Sequence, residues 1–469
     1  MTTPPPVAKT LEEANAIIAK LWARVQELEA RVEELTARLA QNSTNSSRPP
    51  SSDPLWSKPK RKPPVAGSGR KPGGQPGHAA HVREPVPPEQ VDETVDVYPD
   101  RCGICGAKLE AEFPADDAYA HQVTDLPPAR PHVTEYRLWR TRCPHCGGRT
   151  RAKRPANVPE DAFGPRLKAV VAALTSKYRV SRREMVEVLH DLCGVEMSVG
   201  AVQATCERVS VAVSPAVEAV RTEVVSAPVV HADETGWRQK REMHWLWGAT
   251  TPNAAYFVLA GDRGRAALSQ LLPDTYPGVV HCDRWRPYQR FGDNRQLCHA
   301  HLRRDFQAAI DRGGKARPIG RNLLASSDRL FSVWHAFRRG EINRQQMARD
   351  MEPIQAEWEQ SIASAIESED SKLSALGADL FKQWDVLWTF VRVEGVEPTN
   401  NDAERALRPA VLWRKGSFGT RSDKGSAFVA KLLTIVHTAK RRKVDVVTWL
   451  RDACDNAAAG LAPAPLIVG

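Results

Sequence analysis

The 469-residue sequence contains no apolar run approaching the roughly 20 residues that a bilayer-spanning helix needs. Its first residues also lack the charged start and apolar core of a signal peptide. The first absence excludes a transmembrane helix, and the second predicts a protein that is not exported. Only four of the nine cysteines form Cys-x-x-Cys pairs, which favours a metal site over a disulfide framework. We therefore expect a soluble, cytoplasmic chain with reduced thiols.

The surplus of positive charge is present but modest. The chain has 66 Lys and Arg residues against 56 Asp and Glu residues, which gives a net charge of +10 and a pI near 9.2. Such a surplus attracts polyanions, and nucleic acid is the natural partner. At roughly 150 residues per domain, the length predicts about three folded units.

Residues 11–40 predict a parallel two-stranded coiled coil, and hence a homodimer or a higher oligomer. Apolar side chains recur at alternating intervals of three and four, with β-branched residues at the first three a positions and Leu at d. An amphipathic helix packed on its own domain is the alternative, because about three heptads form only a marginal coil. The seam consists of Ile18, Leu21, Val25, Leu28, Val32, Leu35 and Leu39.

Residues 41–95 predict a basic linker rich in Pro, Ser and Gly. As far as Ala80 the segment has too few apolar side chains to form a core. In that part, seven Lys and Arg residues stand against Asp53 alone. The segment is therefore either a contact for DNA phosphates or a solvated tether.

Residues 96–158 predict a zinc-ribbon domain. Cys102 and Cys105 form one Cys-x-x-Cys pair, Cys143 and Cys146 form another, and a Gly follows each pair. Four thiolates suit a tetrahedral structural Zn²⁺ with no open position for chemistry. The alternating stretch 132–139 suits a strand hairpin between the pairs. Two unrelated cysteine pairs are the alternative interpretation.

Residues 159–225 predict a helical region that resembles a DNA-binding unit. A helix from Ser181 to Cys193, a turn at Gly194 and a helix capped by Ser198 have the pattern of a helix-turn-helix. A small helical bundle is an equally good interpretation. If the region is a helix-turn-helix, the side chains available for base contacts are Gln203, Glu207 and Arg208.

Two runs of the form Val-Val-His-x-Asp, at 229–233 and 279–283, predict buried strands that end in a carboxylate. Because side chains alternate along a strand, adjacent parallel strands would bring Asp233 and Asp283 together at their carboxyl ends. Ligand sites in open α/β sheets lie at that edge. His231 and His281 share the face of the aspartates and are expected to pack in the core.

The neighbouring patterns complete an α/β catalytic domain over residues 226–440, followed by a helical tail at 441–469. The order of elements between and after the two runs is strand, strand, helix, strand, then a long helical stretch. The predicted segments are strands at 244–250 and 255–260, a helix at 264–272, a strand at 296–298 and a helical insertion at about 306–397.

Glu404 is the third predicted carboxylate, in the first turn of a helix that Asn or Thr caps. Arg408 lies one turn further along the same face. Two Asp and one Glu suit a pair of Mg²⁺ (or Mn²⁺) ions about 4 Å apart, which stabilise the attacking and leaving oxygens of a displacement at phosphorus. Surface roles are expected for the weaker competitors, Glu234, Asp262, Asp274, Asp293 and Asp305. A second zinc at Cys298, His299 and His301 is a minor alternative.

Several segments of the chain form a dense set of family-specific motifs: 45–53, 69–78, the four paired cysteines, 231–238, 298–304 and 400–409. On these segments the chain resembles the large catalytic protein of the insertion-sequence 66 transposase family across nearly its full length. That resemblance implies a ribonuclease-H-like fold with an Asp233, Asp283 and Glu404 (DDE) triad and a helical insertion before the glutamate. Many DDE enzymes carry a basic residue where this chain has Val411, which suggests Arg405 or Arg408 as the phosphate contact.

The function predicted from sequence is therefore a nucleoid-associated bacterial transposase that cuts and joins DNA. Its partners would be element ends, target DNA and, in some systems, companion transposition proteins, with no membrane. His301 and Arg304 are expected to contact the active site or the DNA backbone. The alternatives are a catalytically silent DNA-binding regulator derived from a transposase and a ribonuclease-H-like nuclease that only hydrolyses.

Overall fold

The computed structural model describes residues 10–46, 84–109, 120–155 and 158–466. These residues fall into two compact units, one within 60–132 together with Leu192–Gly194, and one formed by the rest. None of the helices in these ranges is long and apolar enough to cross a membrane. Most of the predicted linker, residues 47–83, lies outside the described residues.

The amino-terminal segment forms a single long helix, α1 (Leu11–Leu39), as the heptad pattern predicts. Thr10 caps it by accepting a hydrogen bond from the Glu13 N–H at 3.2 Å. The seam side chains are exposed, from 42% at Leu35 to 85% at Leu39. That exposure argues against packing on the helix's own domain, and pairing with a second chain stays a prediction.

Each cysteine pair forms the same tight turn. In the first, the Gly106 N–H donates to the Cys102 carbonyl at 2.9 Å, and in the second Gly147 donates to Cys143 at 3.0 Å. Both glycines have positive φ, 69° and 70°, which residues with a Cβ rarely adopt. Backbone N–H groups directed at the first thiol of each pair lower the pKa of Cys102 and Cys143, as a metal-binding thiolate requires.

The strand hairpin expected at 132–139 is wrong. The strands lie instead on either side of the second cysteine turn, as β1 (Arg140–Arg142) and β2 (Arg149–Arg151), paired antiparallel. The turn brings these two segments into register, and the Ala152 N–H extends the pairing to the Trp139 carbonyl at 2.9 Å, whereas residues 132–138 have no strand partner.

Four helices follow, α2 (Pro165–Ser176), α3 (Arg182–Cys193), α4 (Val199–Ala212) and α5 (Ser214–Ser226). Gly194 has a φ of 61°, and Ser198 caps α4 by accepting from the Ala201 N–H at 3.1 Å, so the local pattern is as predicted. The side chains proposed for base contacts, however, have partners within the chain. Gln203 bonds Arg182 and Glu207, Glu207 also pairs with Lys424, and Arg208 pairs with Asp161. These contacts favour the helical bundle.

A five-stranded mixed sheet follows, with the strand order β5-β4-β3-β6-β7. Strands β3, β4 and β5 pair antiparallel, whereas β6 pairs parallel to both β3 and β7. The predicted element order is confirmed, and α6 (Arg265–Leu271) lies between β5 and β6. The strands are β3 (Val229–Gln239), β4 (Glu242–Thr250), β5 (Ala255–Ala260), β6 (Val279–Cys282) and β7 (Arg295–Leu297).

The sequence pattern predicts that strand β3 ends at Asp233, and this prediction is wrong. Antiparallel pairing with β4 continues from His231 opposite Thr250 to Gln239 opposite Glu242. Only the parallel pairing with β6 stops early, at His231 opposite His281. Asp233 therefore lies inside a long strand, just beyond the point where its parallel neighbour ends.

The stretch after β7 is helical, as predicted, although its first helix already begins at His299. Two long helices, α13 (Asn401–Ser417) and α14 (Asp423–Arg441), then pack against the sheet, and α15 (Val446–Ala458) packs against α2 and α14. The Thr438 and Thr434 hydroxyls of α14 accept the N–H groups of Ala255 and Phe257, both at 3.1 Å, along edge strand β5. The helices are α7 (His299–Arg312), α8 (Ala316–Arg338), α9 (Arg344–Ile366), α10 (Ser371–Lys382), α11 (Trp384–Leu387), α12 (Thr389–Arg392), α13 (Asn401–Ser417), α14 (Asp423–Arg441) and α15 (Val446–Ala458).

Candidate active site

Asp233 and Asp283 each follow a paired histidine by two residues on neighbouring parallel strands. Because His231 lies opposite His281, the same register carries the two aspartates to the same edge of the sheet. Asp283 comes directly after β6 and accepts the Trp285 N–H at 2.8 Å, which fixes its carboxylate in a turn. The structure thus places the two aspartates near enough for the charge of Asp283 to act on Asp233.

Asn400 connects the helix of Glu404 to the strand of Asp233. Its side chain is fully buried and donates to the Ala232 carbonyl at 2.7 Å, while its N–H donates to the Cys298 sulfur at 3.2 Å. The predicted capping role is wrong, because Asn400 occupies the N-cap position without a side-chain bond to the helix. The side chain is used for a tertiary contact that holds the first turn of α13 beside β3.

The carboxylates repel one another at this edge. Burial raises the pKa of Asp233 well above its ordinary value, and the negative charges of Glu234, Asp283 and Glu404 raise it further. The charge of His301 partly offsets this effect. A cation bound here would relieve the repulsion, because it would replace the proton that the raised pKa otherwise retains.

Glu404 lies close to two basic side chains of α7. Its carboxylate is 3.6 Å from His301 Nδ1 and 3.9 Å from the Arg304 guanidinium. Burial lowers the pKa of His301, but the Cys298 thiol and the Glu404 charge outweigh it and raise the pKa to about 9. Four side chains are predicted to contact DNA. Of these, His301 and Arg304 are the two that the structure places beside the carboxylates.

Cys298, His301 and Glu404 direct their ligand atoms toward one point. All three atoms lie within 4.8 Å of one another. The Nδ1 atom of His301 and an oxygen of Glu404 are buried without a hydrogen-bond partner among the described residues. His299, by contrast, turns away to the Leu387 carbonyl at 2.9 Å. The minor alternative of a second zinc at Cys298, His299 and His301 therefore loses His299, which lies on another face of α7.

Glu234 is not a surface residue, contrary to the sequence-based expectation. Its side chain is fully buried. It accepts a hydrogen bond from the Tyr288 hydroxyl at 2.7 Å and forms an ion pair with Arg263 at 2.6 Å. Burial raises the pKa of Glu234, with a further increase from the charge of Asp283. Arg263 also lies within 4.0 Å of Asp283. The buried Glu234 carboxylate therefore orients the Arg263 guanidinium beside the site.

Arg263 is held between two aromatic rings. Its guanidinium lies 4.1 Å from the ring centre of Trp285 and 4.8 Å from that of Trp245. The Trp285 ring N–H donates to the Arg263 carbonyl at 3.0 Å. These contacts fix the direction of an arginine that sequence patterns did not single out.

His231 and His281 form a buried pair beneath the aspartates, as predicted. Their Nδ1 atoms lie 2.8 Å apart, and burial lowers the pKa of both rings. The pair therefore contributes no charge to the site at neutral pH. It joins β3 to β6 through side chains at the point where backbone pairing ends.

The other predicted residues lie at the periphery. Arg405 is exposed and 3.4 Å from Asp402, and Arg408 is exposed one turn further along α13. The competing residues Asp262, Asp274 and Asp293 are exposed, in agreement with the expected surface roles. Asp305 is partly buried and pairs with Arg284 at 2.7 Å.

Residues 161–427, more than half of the chain, match the family model described as "Transposase IS66 family". The chain belongs to this family. Residues 3–84 match a second model, described as a family of unknown function, DUF6444. Membership of a transposase family implies DNA as a partner and suggests a divalent metal for chemistry. The carboxylate cluster, with its raised pKa of Asp233 and the unpaired Glu404 oxygen, fits a hard divalent cation.

Relatives of the same family occur in Sinorhizobium fredii (strain NBRC 101917 / NGR234). The chain is 24% identical to the uncharacterized protein y4hP over 410 residues, covering 79% of this chain and 73% of that protein. It is also 24% identical to the uncharacterized protein y4qI over 436 residues, covering 83% and 76%.

Proposed function

We propose that this member of the IS66 family is a transposase that binds the ends of its element, cleaves DNA strands and joins them to target DNA. The proposal is supported by the β3–β6 register and the Asn400 bond to Ala232, which bring Asp283 and Glu404 near enough to Asp233 for their charges to raise its pKa. The strand order β5-β4-β3-β6-β7, with a helical stretch before α13, supports a ribonuclease-H-like assignment.

In the first step, water attacks the phosphorus of a phosphodiester and the bond to the 3′-oxygen breaks, which leaves a 3′-hydroxyl and a 5′-phosphate. In the second step, that 3′-hydroxyl attacks a phosphodiester of the target strand and displaces another 3′-oxygen. Mg²⁺ or Mn²⁺, bound by Asp233, Asp283 and Glu404, would supply charge stabilisation for the attacking and leaving oxygens. His301 and Arg304 bind the scissile phosphate, and Asn400 and Arg263 keep the carboxylates in position.

The zinc ribbon is proposed on separate grounds. Each of the turns Cys102–Cys105 and Cys143–Cys146 directs N–H groups at a thiol of lowered pKa. The assignment of all four thiolates to one structural Zn²⁺ rests on the sequence pattern of two Cys-x-x-Cys pairs, and such an ion would supply folding free energy rather than chemistry.

The decisive experiment replaces Asp233, Asp283 and Glu404 singly by Ala and measures strand cleavage on a duplex that carries the inverted repeats flanking the gene. Each substitution should lower the cleavage rate by on the order of 10³-fold or more, with binding of end DNA nearly unchanged. Asp262→Ala and Asp293→Ala, at exposed carboxylates, are the matched controls.

A variant that cuts at the wild-type rate would remove its residue from the triad. Cleavage that persists in chelator would overturn the proposed metal dependence. Hydrolysis without any strand joining would favour a nuclease over a transposase.

A further inference from the structure

A basic cleft lies at the other end of β3, beyond the candidate active site. It has a volume of about 920 Å³, with walls from the β3–β4 hairpin and from the segment that joins α13 to α14. No Asp or Glu is among the residues that line it. The basic lining residues are Arg238, Lys240, Arg241, Arg414, Lys415 and Arg421.

Most of these charges are not balanced within the protein. Arg414 is bonded to the cleft wall, where it donates to the Thr235 hydroxyl at 3.3 Å, and Lys240 lies 3.8 Å from Asp423. The other four cations are exposed and form no ion pair with a carboxylate in the described part of the chain. A concave surface with four uncompensated cations attracts a polyanion.

Phe418 stands among these charges with its ring in solvent. The side chain is 83% exposed, and its backbone has a φ of 57° at the end of α13. A residue with a Cβ is disfavoured in this left-handed conformation, and exposure of an aromatic ring gains nothing for the fold. Exposed aromatic rings interleaved with cations are the means by which proteins stack unpaired bases.

The cleft wall is rigid. Gly419 has a φ of 98°, and a Cβ there would overlap the Arg238 carbonyl oxygen. Thr420 donates to Arg238 at 2.8 Å, and Lys240 donates to Thr420 at 3.0 Å. The loop after α13 is thus fastened to the end of β3, and the backbone of this part of the cleft wall is fixed before any ligand arrives.

Two elements connect this cleft to the carboxylates. Helix α13 carries Glu404 in its first turn and Arg414 ten residues later, a rise of about 15 Å. Strand β3 carries Asp233 and, further along, Arg238. At about 3.4 Å per nucleotide, this separation corresponds to about four nucleotides, and to fewer on a stretched strand.

We propose that the cleft binds an unpaired DNA strand a few nucleotides from the cleaved phosphate, with phosphates on the cations and a base stacked on Phe418. The strand is unpaired because a base inside a duplex offers no free face to the ring. The position relative to the cleaved phosphate depends on the proposed function, whereas strand binding itself does not.

The first test measures binding of a fluorescein-labelled oligothymidylate to the full-length protein by anisotropy, across a salt series in metal-free buffer. The triple variant Arg238→Ala/Arg241→Ala/Arg421→Ala should bind at least 10-fold more weakly. Its slope of log affinity against log salt should fall by about 2, at roughly 0.7 per lost phosphate contact. The control variant, Arg321→Ala/Lys372→Ala/Lys382→Ala, removes three exposed charges elsewhere and should behave as wild type.

The second test addresses the ring. Phe418→Gly removes the ring and suits the positive φ, so binding should fall about 5- to 100-fold with no loss of Tm. Phe418→Tyr retains a stacking face and should bind as wild type. The loss of affinity in the triple variant and the loss in Phe418→Gly should both be larger for the single strand than for a duplex of the same sequence.

Wild-type affinity in the triple variant would overturn the cleft proposal, and wild-type affinity in Phe418→Gly would overturn stacking. An equal loss for duplex and single strand would overturn the unpaired assignment. Because these measurements need no cleavage, their failure is separate from a failure of the proposed function.

Discussion

Residues 158–466 bury Trp237, Trp247 and Trp358 almost completely, whereas Trp22 and Trp139 near the amino terminus are 66% and 71% exposed. Among the described residues, no apolar side chain before Ala169 is buried. The carboxyl-terminal region therefore has its own hydrophobic core, and the amino-terminal segments that the structure describes do not. Such segments need an external component to become stable, and the sequence indicates two, a zinc ion and a second chain.

The largest effect is expected where the proposed zinc ion would take the place of a hydrophobic core. Cys143→Ser should abolish binding of the one zinc per chain and unfold the ribbon, because structural zinc contributes about 10–16 kcal/mol to folding. Elemental analysis and calorimetry should show loss of zinc with an unchanged transition for the core of residues 158–466. Cys193→Ser, outside the pairs, is the control. If the wild-type protein contained no zinc and all four paired cysteines were freely alkylated, the zinc-ribbon proposal would be overturned.

The next effect concerns the exposed seam of α1. Leu28→Asp would bury a charge in each strand of a paired coil, a cost of several kcal/mol that about three heptads are unable to offset. Light scattering of the full-length protein without DNA should show a dimer for wild type and a monomer for the variant. Gln26→Asp adds the same charge off the seam and should remain dimeric. A dimeric Leu28→Asp variant would show that another surface joins the chains.

A smaller effect is expected inside the well-packed region. Asn400→Ala removes the buried bond to Ala232 and should lower the free energy of unfolding by about 1–3 kcal/mol. The cleavage rate should fall further than this loss of folded protein explains, because Glu404 is no longer held beside Asp233. The free energy of unfolding and the cleavage rate of Asn400→Ala are compared with those of Asn401→Ala, which changes an exposed neighbouring residue in the first turn of α13. Equal effects in the two variants would contradict the positioning role.

The smallest effect has the opposite sign. Because burial and like charges raise the pKa of Asp233, the folded state binds its proton more tightly than the unfolded state does. Stability therefore falls as pH rises from about 4 toward the raised folded value. Asp233→Asn should raise Tm by about 2–4 °C at neutral pH in metal-free buffer, with no gain below pH 4. Mg²⁺ should stabilise wild type alone. A lower Tm in the variant would contradict the electrostatic account.

The sequence predicted the sheet and its two aspartates because the relevant signals are local. Two Val-Val-His runs specify neighbouring buried strands, and a strand period of two then places Asp233 with Asp283. The pattern did not predict how far β3 continues, because its length depends on pairing with β4. Hydrogen bonding to a distant partner is not visible in a short window.

The errors at the site have the same origin. Glu234 stands next to a predicted catalytic residue, but its partners Arg263 and Tyr288 come from other parts of the chain. Asn400 occupies a position where local rules favour capping, yet a backbone carbonyl of β3 takes its amide. In both cases a tertiary contact is stronger than the local preference.

The long helical stretch between β7 and α13 also affects the order in which the site is synthesised. Asp283 precedes Glu404 by roughly 120 residues, so a ribosome needs on the order of ten seconds to pass from one to the other. Until then, the nascent chain carries the cysteine turns and both aspartates without the third carboxylate. Under the proposed function, a product truncated in this interval would lack the third carboxylate and would be unable to cut. With the proposed catalytic Glu404 on the far side of the helical stretch, full-length translation becomes a condition for cleavage.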